Sequence, residues 1–160
     1  MGQFSDFSLP VRLFLKAYRW RRIDPVPRAA LEKPLSECRV ALVSSAGFVA
    51  PGQVPFDSKI RGGDVSFRQI DKEIEVTSLR DTHRSGSFDH AGLREDPNLA
   101  FPLDRLRELV ASGRIGSLAP RHLSFMGSIT APGRLMRESA PEAANWLLED
   151  QVDVALLVPV

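Results

Sequence analysis

Apolar positions along the chain fall into a few patterns, and each predicts an element. Two continuous runs, Arg39-Val-Ala-Leu-Val43 and Val152-Asp-Val-Ala-Leu-Leu-Val158, read as strands buried on both faces of a sheet, where neither face has to meet water. Helical spacing is clearest in Phe101–Val110: Leu103, Leu106, Leu109 and Val110 form one stripe, Pro102 sits in the first turn and Gly113 follows as the stop. Residues 8–23 repeat that spacing with Val11, Phe14, Leu15 and Tyr18, behind Ser8 as a cap and Pro10 in the first turn. Ser139-Ala-Pro-Glu142 has the form of a capping box that opens a helix running to Glu149. Shorter strands are predicted at Ser66–Ile70 and Ile115–Ala119, the latter leading into Pro120–Gly127, with Ile74–Val76 extending the sheet. This alternation predicts an α/β fold, a three-layer sandwich with a mostly parallel Rossmann- or flavodoxin-like sheet.

The intervening segments carry no period. Asp24–Ser36, with Pro25, Pro27 and Pro34, is an extended connector, so residues 1–36 read as a basic helix plus a Pro-rich connector and 37–160 as the α/β domain. Phe48–Gly63 is a long loop and Arg80–Asn98 is polar and irregular.

Composition narrows the class. The 160 residues amount to one domain, 43% apolar and 26% charged. A formal charge of +1 argues against a strongly basic nucleic-acid binder, and no nucleic-acid partner is expected. Cys38 is the single cysteine, which excludes a disulfide scaffold and suits a reducing compartment such as the cytoplasm. Val40–Val43 and Val154–Val160 fall far short of the roughly 20 residues of a spanning helix. Arg12, Lys16, Arg19, Arg21 and Arg22 interrupt any signal-like stretch, so a soluble, cytoplasmic protein is expected. The basic helix admits a membrane-surface or acidic-partner role beside a plainer one, an apolar stripe packed on the domain.

Ligands of parallel sheets bind beyond the carboxyl ends of the strands. Ser44, Ser45 and the Gly47 backbone stand there and could cradle an anion, against the plainer reading of a strand-to-loop turn. The run is neither a P-loop nor a G-x-G-x-x-G motif. His83, His90 and His122 all fall in segments read as irregular, where histidines suit proton transfer or simple loop hydrogen bonding. His83, Asp89, His90 and Asp96 lack any recognised ligand spacing, so no metal is expected. Cys38 precedes the first strand, at its amino end, and reads as a small buried hydrophobe rather than a nucleophile.

Six blocks in order carry a resemblance: Val40–Gly47, Gly63–Ile70, the His83/Asp89 loop, Asp96–Val110, Ile115–Gly127 and Glu149–Leu157. Over residues 38–160 the chain resembles the glycine/sarcosine/betaine/D-proline reductase selenoprotein family, most of all the selenocysteine-bearing subunits of D-proline reductase. The resemblance implies reductive cleavage of a C–N bond. A selenolate or thiolate attacks the substrate carbon, a dithiol or thioredoxin-like protein supplies electrons, and a pyruvoyl group on a partner subunit holds the small-molecule amine. A selenolate suits the task because its low pKa keeps it ionised at pH 7, as for reactive thiolates.

In the family the selenocysteine-x-x-cysteine or cysteine-x-x-cysteine motif follows the strand that corresponds to Val152–Val158. The resemblance therefore implies that selenocysteine comes just after Val160, that the α/β sheet is incomplete at its C-terminus, and that these residues precede a selenocysteine UGA codon in a longer gene. On that reading His83, His90 and His122 are candidates for proton transfer, and Ser44, Ser45, Gly47 and Arg68 for the substrate carboxylate. The chain alone lacks the nucleophile and is expected to be inactive. The alternative is a non-redox small α/β protein that binds a ligand or partner.

Overall fold

The computed structural model describes residues 7–18, 22–86 and 88–160. They form two units, Met1–Ala30 and Leu31–Val160, each taken by itself. In the first, helix α1 spans Leu9–Ala17, and Tyr18 leaves it with extended backbone. That is shorter than the 8–23 predicted, and Arg19–Arg21 lie outside the described residues. None of its residues is buried, and a helix this short gains little from backbone hydrogen bonding alone.

The second unit is built around β1 (Arg39–Ser44). Its run of apolar residues is flanked on both edges, as a doubly buried strand requires. β7 (Val154–Val158) pairs parallel with β1 along one edge, Val40 to Val154 through Ser44 to Val158. β5 (Ser117–Leu118) and β6 (Arg121–Phe125) follow one another along the other edge, also parallel. β3 (Phe67–Asp71) closes the far side of β6, antiparallel. The sheet is thus mixed but mostly parallel. No local signal in the sequence sets the direction of β3.

Residues opposite one another share a face, so the register sorts the two layers. Leu42, Ser44, Ile70 and His122 face α2 (His90–Glu95) and α3 (Leu103–Ala111), where Phe48, Phe101, Leu103 and Leu106 complete the main core. Val43, Phe67, Phe125 and Leu157 face α4 (Ala140–Glu149). Trp146 of α4 stands edge-on to Phe67, with centroids 5.7 Å apart, and carries the Arg121 guanidinium 4.1 Å above its ring. α4 leaves β7 partly bare, and Leu157 is 67% exposed.

Three local expectations are corrected. Within the loop after β1, β2 (Phe48–Val49) pairs antiparallel with β4 (Arg80–Asp81), and the irregular Arg80–Asn98 stretch holds β4 and α2. Ile74–Val76 adds no strand, because a 3-10 turn at Val76–Ser78 follows β3. Ser139 does not cap a helix. Helical backbone already begins at Gly133, and Ser139 ends a π-turn, Leu135–Ser139, in which the Ala140 N–H donates to Leu135 O. The widened turn lies just ahead of Pro141, whose ring would collide with the carbonyl four residues back in a regular helix.

Candidate functional site

The carboxyl ends of β1, β6 and β7 lie side by side, but their polar groups are already spent. Ser44 Oγ donates to Ala100 O at 2.6 Å and accepts the Ala46 N–H. The Ser45 N–H donates to Val158 O, and its hydroxyl brackets the main chain of Val160, accepting the N–H at 3.0 Å. The Gly47 N–H donates to Phe125 O at 2.8 Å, while the Gly47 carbonyl accepts both the N–H and the hydroxyl of Thr82. In the expected Ser44–Ser45–Gly47 cradle the Ser44 hydroxyl and the main-chain N–H groups of Ser45 and Gly47 are therefore already engaged.

Arg68 is equally committed. Nε donates to Val54 O at 2.8 Å, Nη1 to Ser66 Oγ and Phe67 O, and Nη2 to Pro55 O, with the guanidinium over the Phe56 ring. It fastens the 53–56 loop to β3, two strands away from Ser44, and the structure does not bring it to the crevice.

The histidines separate. His122 lies in β6 rather than in a loop, fully buried against Phe101. Between β5 and β6, at Ala119-Pro120, the ladder to β1 is interrupted, and the Leu42 N–H donates to His122 Nδ1 at 3.0 Å instead. Burial pushes this imidazole down to about 4, so it is neutral at pH 7 and serves as an acceptor inside the sheet.

His83 and His90 do come together, through Asp81, which sequence reasoning missed. Asp81-Thr-His83 has the spacing of an Asx turn, and Asp81 Oδ1 accepts the His83 N–H at 2.8 Å. His90, the first residue of α2, points Nδ1 at Asp81 Oδ2 and Nε2 at Ser85 O. Both partners present acceptor oxygens, which favours the doubly protonated ring. The Asp81 bond, then the Ser85 carbonyl, raise its pKa above the ordinary histidine value. The Ser85 N–H in turn donates to His83 Nδ1 at 3.2 Å, which leaves the His83 proton on Nε2. Phe88 stacks on the His83 ring at 4.2 Å and meets His90 edge-on. Burial, opposed by Asp81, lowers the His83 pKa and keeps it neutral.

His83 Nε2 is buried and has no hydrogen-bond partner among the described residues. It faces Gly127. A side-chain carbon built there would sit 3.0 Å from His83 Nε2, 3.0 Å from Ser45 O and 3.3 Å from Val160 O. Gly47 permits the approach: its φ is +72°, and a Cβ would press on the His83 backbone at 3.1 Å. Ser45 and Gly127 also border a hollow of about 470 Å³, otherwise walled by apolar groups of Val43, Phe125, Leu135 and Leu157. The arrangement offers one neutral N–H donor behind an apolar hollow at the ligand end of a parallel sheet. Among the described residues no three His, Cys, Asp or Glu side chains converge to hold a metal ion. Cys38 lies at the opposite end of β1, its Sγ donating to Pro34 O, with no ligand-facing role.

Fold and crevice define an α/β domain with a hollow at the carboxyl ends of β1, β6 and β7. Residues 9–159 match the family described as glycine/sarcosine/betaine reductase selenoprotein B (GRDB), and the chain belongs to that family. Among curated proteins it is 35% identical over 125 residues to D-proline reductase subunit gamma of Acetoanaerobium sticklandii, covering 78% of this chain and 50% of the relative. It is 31% identical over 137 residues to sarcosine reductase complex component B subunit beta of Peptoclostridium acidaminophilum, covering 84% and 30%. It is 28% identical over 137 residues to glycine reductase complex component B subunit gamma of Carboxydothermus hydrogenoformans, covering 84% and 31%. The chain thus spans half or less of the length of these relatives. No solved structure matches it. No helix among the described residues is long and apolar enough to cross a membrane.

Proposed function

We propose that this chain is part of a selenocysteine- or cysteine-dependent reductase subunit that cleaves a C–N bond of an amino acid or amine of the D-proline, glycine, betaine or sarcosine type. The dithiol donor gives up two electrons and two protons and becomes a disulfide, the carbon gains a hydrogen, and the nitrogen leaves as an amine. The nucleophile and a pyruvoyl group lie outside these 160 residues, the latter on a partner subunit. When present, a pyruvoyl carbonyl supplies an electron sink for the substrate amine. The observation that carries the reading is the family match over residues 9–159.

The geometry supports a part for His83. A neutral N–H in a site shielded from water suits a hydrogen bond to an anionic atom and the passing of one proton. His90, bonded to Asp81 and to the Ser85 carbonyl, holds the Asp81–Ser85 segment that fixes the His83 tautomer. His122, locked to Leu42, takes no part in proton transfer.

The test uses the complex that carries this chain, enriched through a tag on it from cells bearing its gene. D-proline, glycine, sarcosine and betaine are each supplied with dithiothreitol, and amine or ring-opened product is measured. Dithiol-dependent product from at least one substrate is expected, with none from the 160-residue chain by itself. Absence of product from all four, or turnover by the isolated chain, would overturn the proposal.

A further inference from the structure

Away from the histidines, the Ile60–Gly63 loop and the start of the long helix enclose a second hollow of about 300 Å³. Its charged lining is Arg61, Arg134 and Arg137, with no carboxylate among the lining residues. Three like charges around one hollow repel one another unless something neutralises them. Arg134 is partly served by Glu138 at 3.1 Å. Among the described residues, no ion pair or hydrogen bond engages the guanidinium of Arg61 or Arg137.

The walls are fixed. Thr130 and Ala131 both donate their N–H groups to Gly62 O, at 2.9 and 3.1 Å. A side chain at Gly62 would meet Ala131 Cβ at 2.7 Å, so glycine is what lets the loop close on this segment and bring Arg61 with it. Arg84 clamps the same two segments from behind, Nη1 to Ile60 O at 3.1 Å and Nη2 to Ser128 O at 2.9 Å. Arg134, just ahead of the π-turn, and Arg137, within it, both line the hollow. The guanidinium of Arg137 folds back over Gly133, where a Cβ would lie 3.2 Å from Nη1.

We propose that this cleft binds a compact oxyanion, the carboxylate or phosphate group of a small molecule, between Arg61 and Arg137. Guanidinium forks match the paired oxygens of both groups, and the bound charge relieves the repulsion among the arginines. The proposal stands on the cleft's own geometry and does not depend on the reductase reading.

Calorimetric titration of the chain at low ionic strength tests it, with inorganic phosphate and acetate as separate probes. Arg61→Ala/Arg137→Ala removes both unpaired guanidiniums, which are exposed and carry no part of the core. Arg105→Ala, which removes an exposed arginine paired with Glu108 on α3, controls for net charge. Saturable binding of at least one probe is expected, weakened about tenfold or more in the double variant and unchanged in the control. Phosphate alone or acetate alone would name the ligand group. No saturable binding, or equal weakening by Arg105→Ala, overturns the proposal. Circular dichroism confirms that the variants remain folded.

Discussion

His122 gives the sharpest test of how the sheet is held. Its imidazole is fully buried, and Nδ1 replaces a carbonyl for the Leu42 N–H where the ladder from β1 breaks between β5 and β6. His122→Ala leaves that donor buried without a partner and opens a cavity in the core. The lost acceptor costs about 1–3 kcal/mol and the lost packing adds to it, so a destabilisation of about 3 kcal/mol or more is expected at pH 7. His122→Asn retains an acceptor near the position of Nδ1 but cannot titrate, and should cost distinctly less. The pH dependence separates the two roles. Folding depresses the His122 pKa from 6.5 to about 4, so the unfolded chain binds more protons between those values. The stabilisation is therefore fully present above 6.5 and is lost as pH falls toward 4. At about 1.36 kcal/mol per pH unit the loss reaches about 3 kcal/mol. Urea unfolding of wild type and His122→Asn at a series of pH values from 7.5 to 4 measures it. The wild type should lose its advantage as the pH falls. Parallel stability curves for the two proteins would refute the neutral, buried acceptor.

Other expectations concern the crevice and its supports. In a proton NMR titration, His90 should titrate above an ordinary histidine and His83 below it, because Asp81 and Ser85 hold the His90 proton while burial disfavours one on His83. The stabilisation from His90 is complete below 6.5 and fades as pH rises through its raised folded value. Asp81→Asn should bring the His90 midpoint back toward the ordinary range, and an unmoved midpoint would contradict the pairing. Gly47→Ala forces an L side chain into φ +72° against the His83 backbone, and should cost about 1–3 kcal/mol in a denaturant melt. Arg68→Lys loses the fork that reaches Val54 and Pro55, so limited proteolysis should cut within 53–56 faster while the β1 core stays resistant.

What the sequence revealed of this fold tracks how local each cause is. The strand β1 and the helix α3 were legible because burial on both faces, or on one stripe, writes itself into consecutive residues; the apolar run of β7 marked a strand too, but none of its residues is buried, against the double burial expected. β6 was hidden, since Arg121, His122 and Ser124 make it look like a polar loop. His122 and Ser124 are fully buried there, and only a distant backbone donor explains the histidine. Ser139 read as a cap because its neighbours have the right chemistry, but the helix had already started six residues earlier. The site was legible as a location and not as a set of roles. Ser44 and Arg68 look available until Ala100 and the Val54–Pro55 carbonyls, 56 and 13–14 residues away, take their donors. His83 keeps its Nε2 proton because of a Ser85 N–H and a glycine, neither of which marks a loop histidine as special.

The π-turn at Leu135–Ser139 sets a phase relation along one helix. Beyond it Ala143 and Trp146 fix the helix against the sheet, while Arg134 just ahead of it and Arg137 within it line the cationic hollow. Each residue of a helix advances the face by about 100°, so the one extra residue in the wide turn decides where the arginines point once Trp146 is seated. A change in chain length between Gly133 and Ala143, or a substitution at Pro141 that let the wide turn close to regular helix, would re-aim them, so this segment's length and its proline together tie the hollow to the sheet.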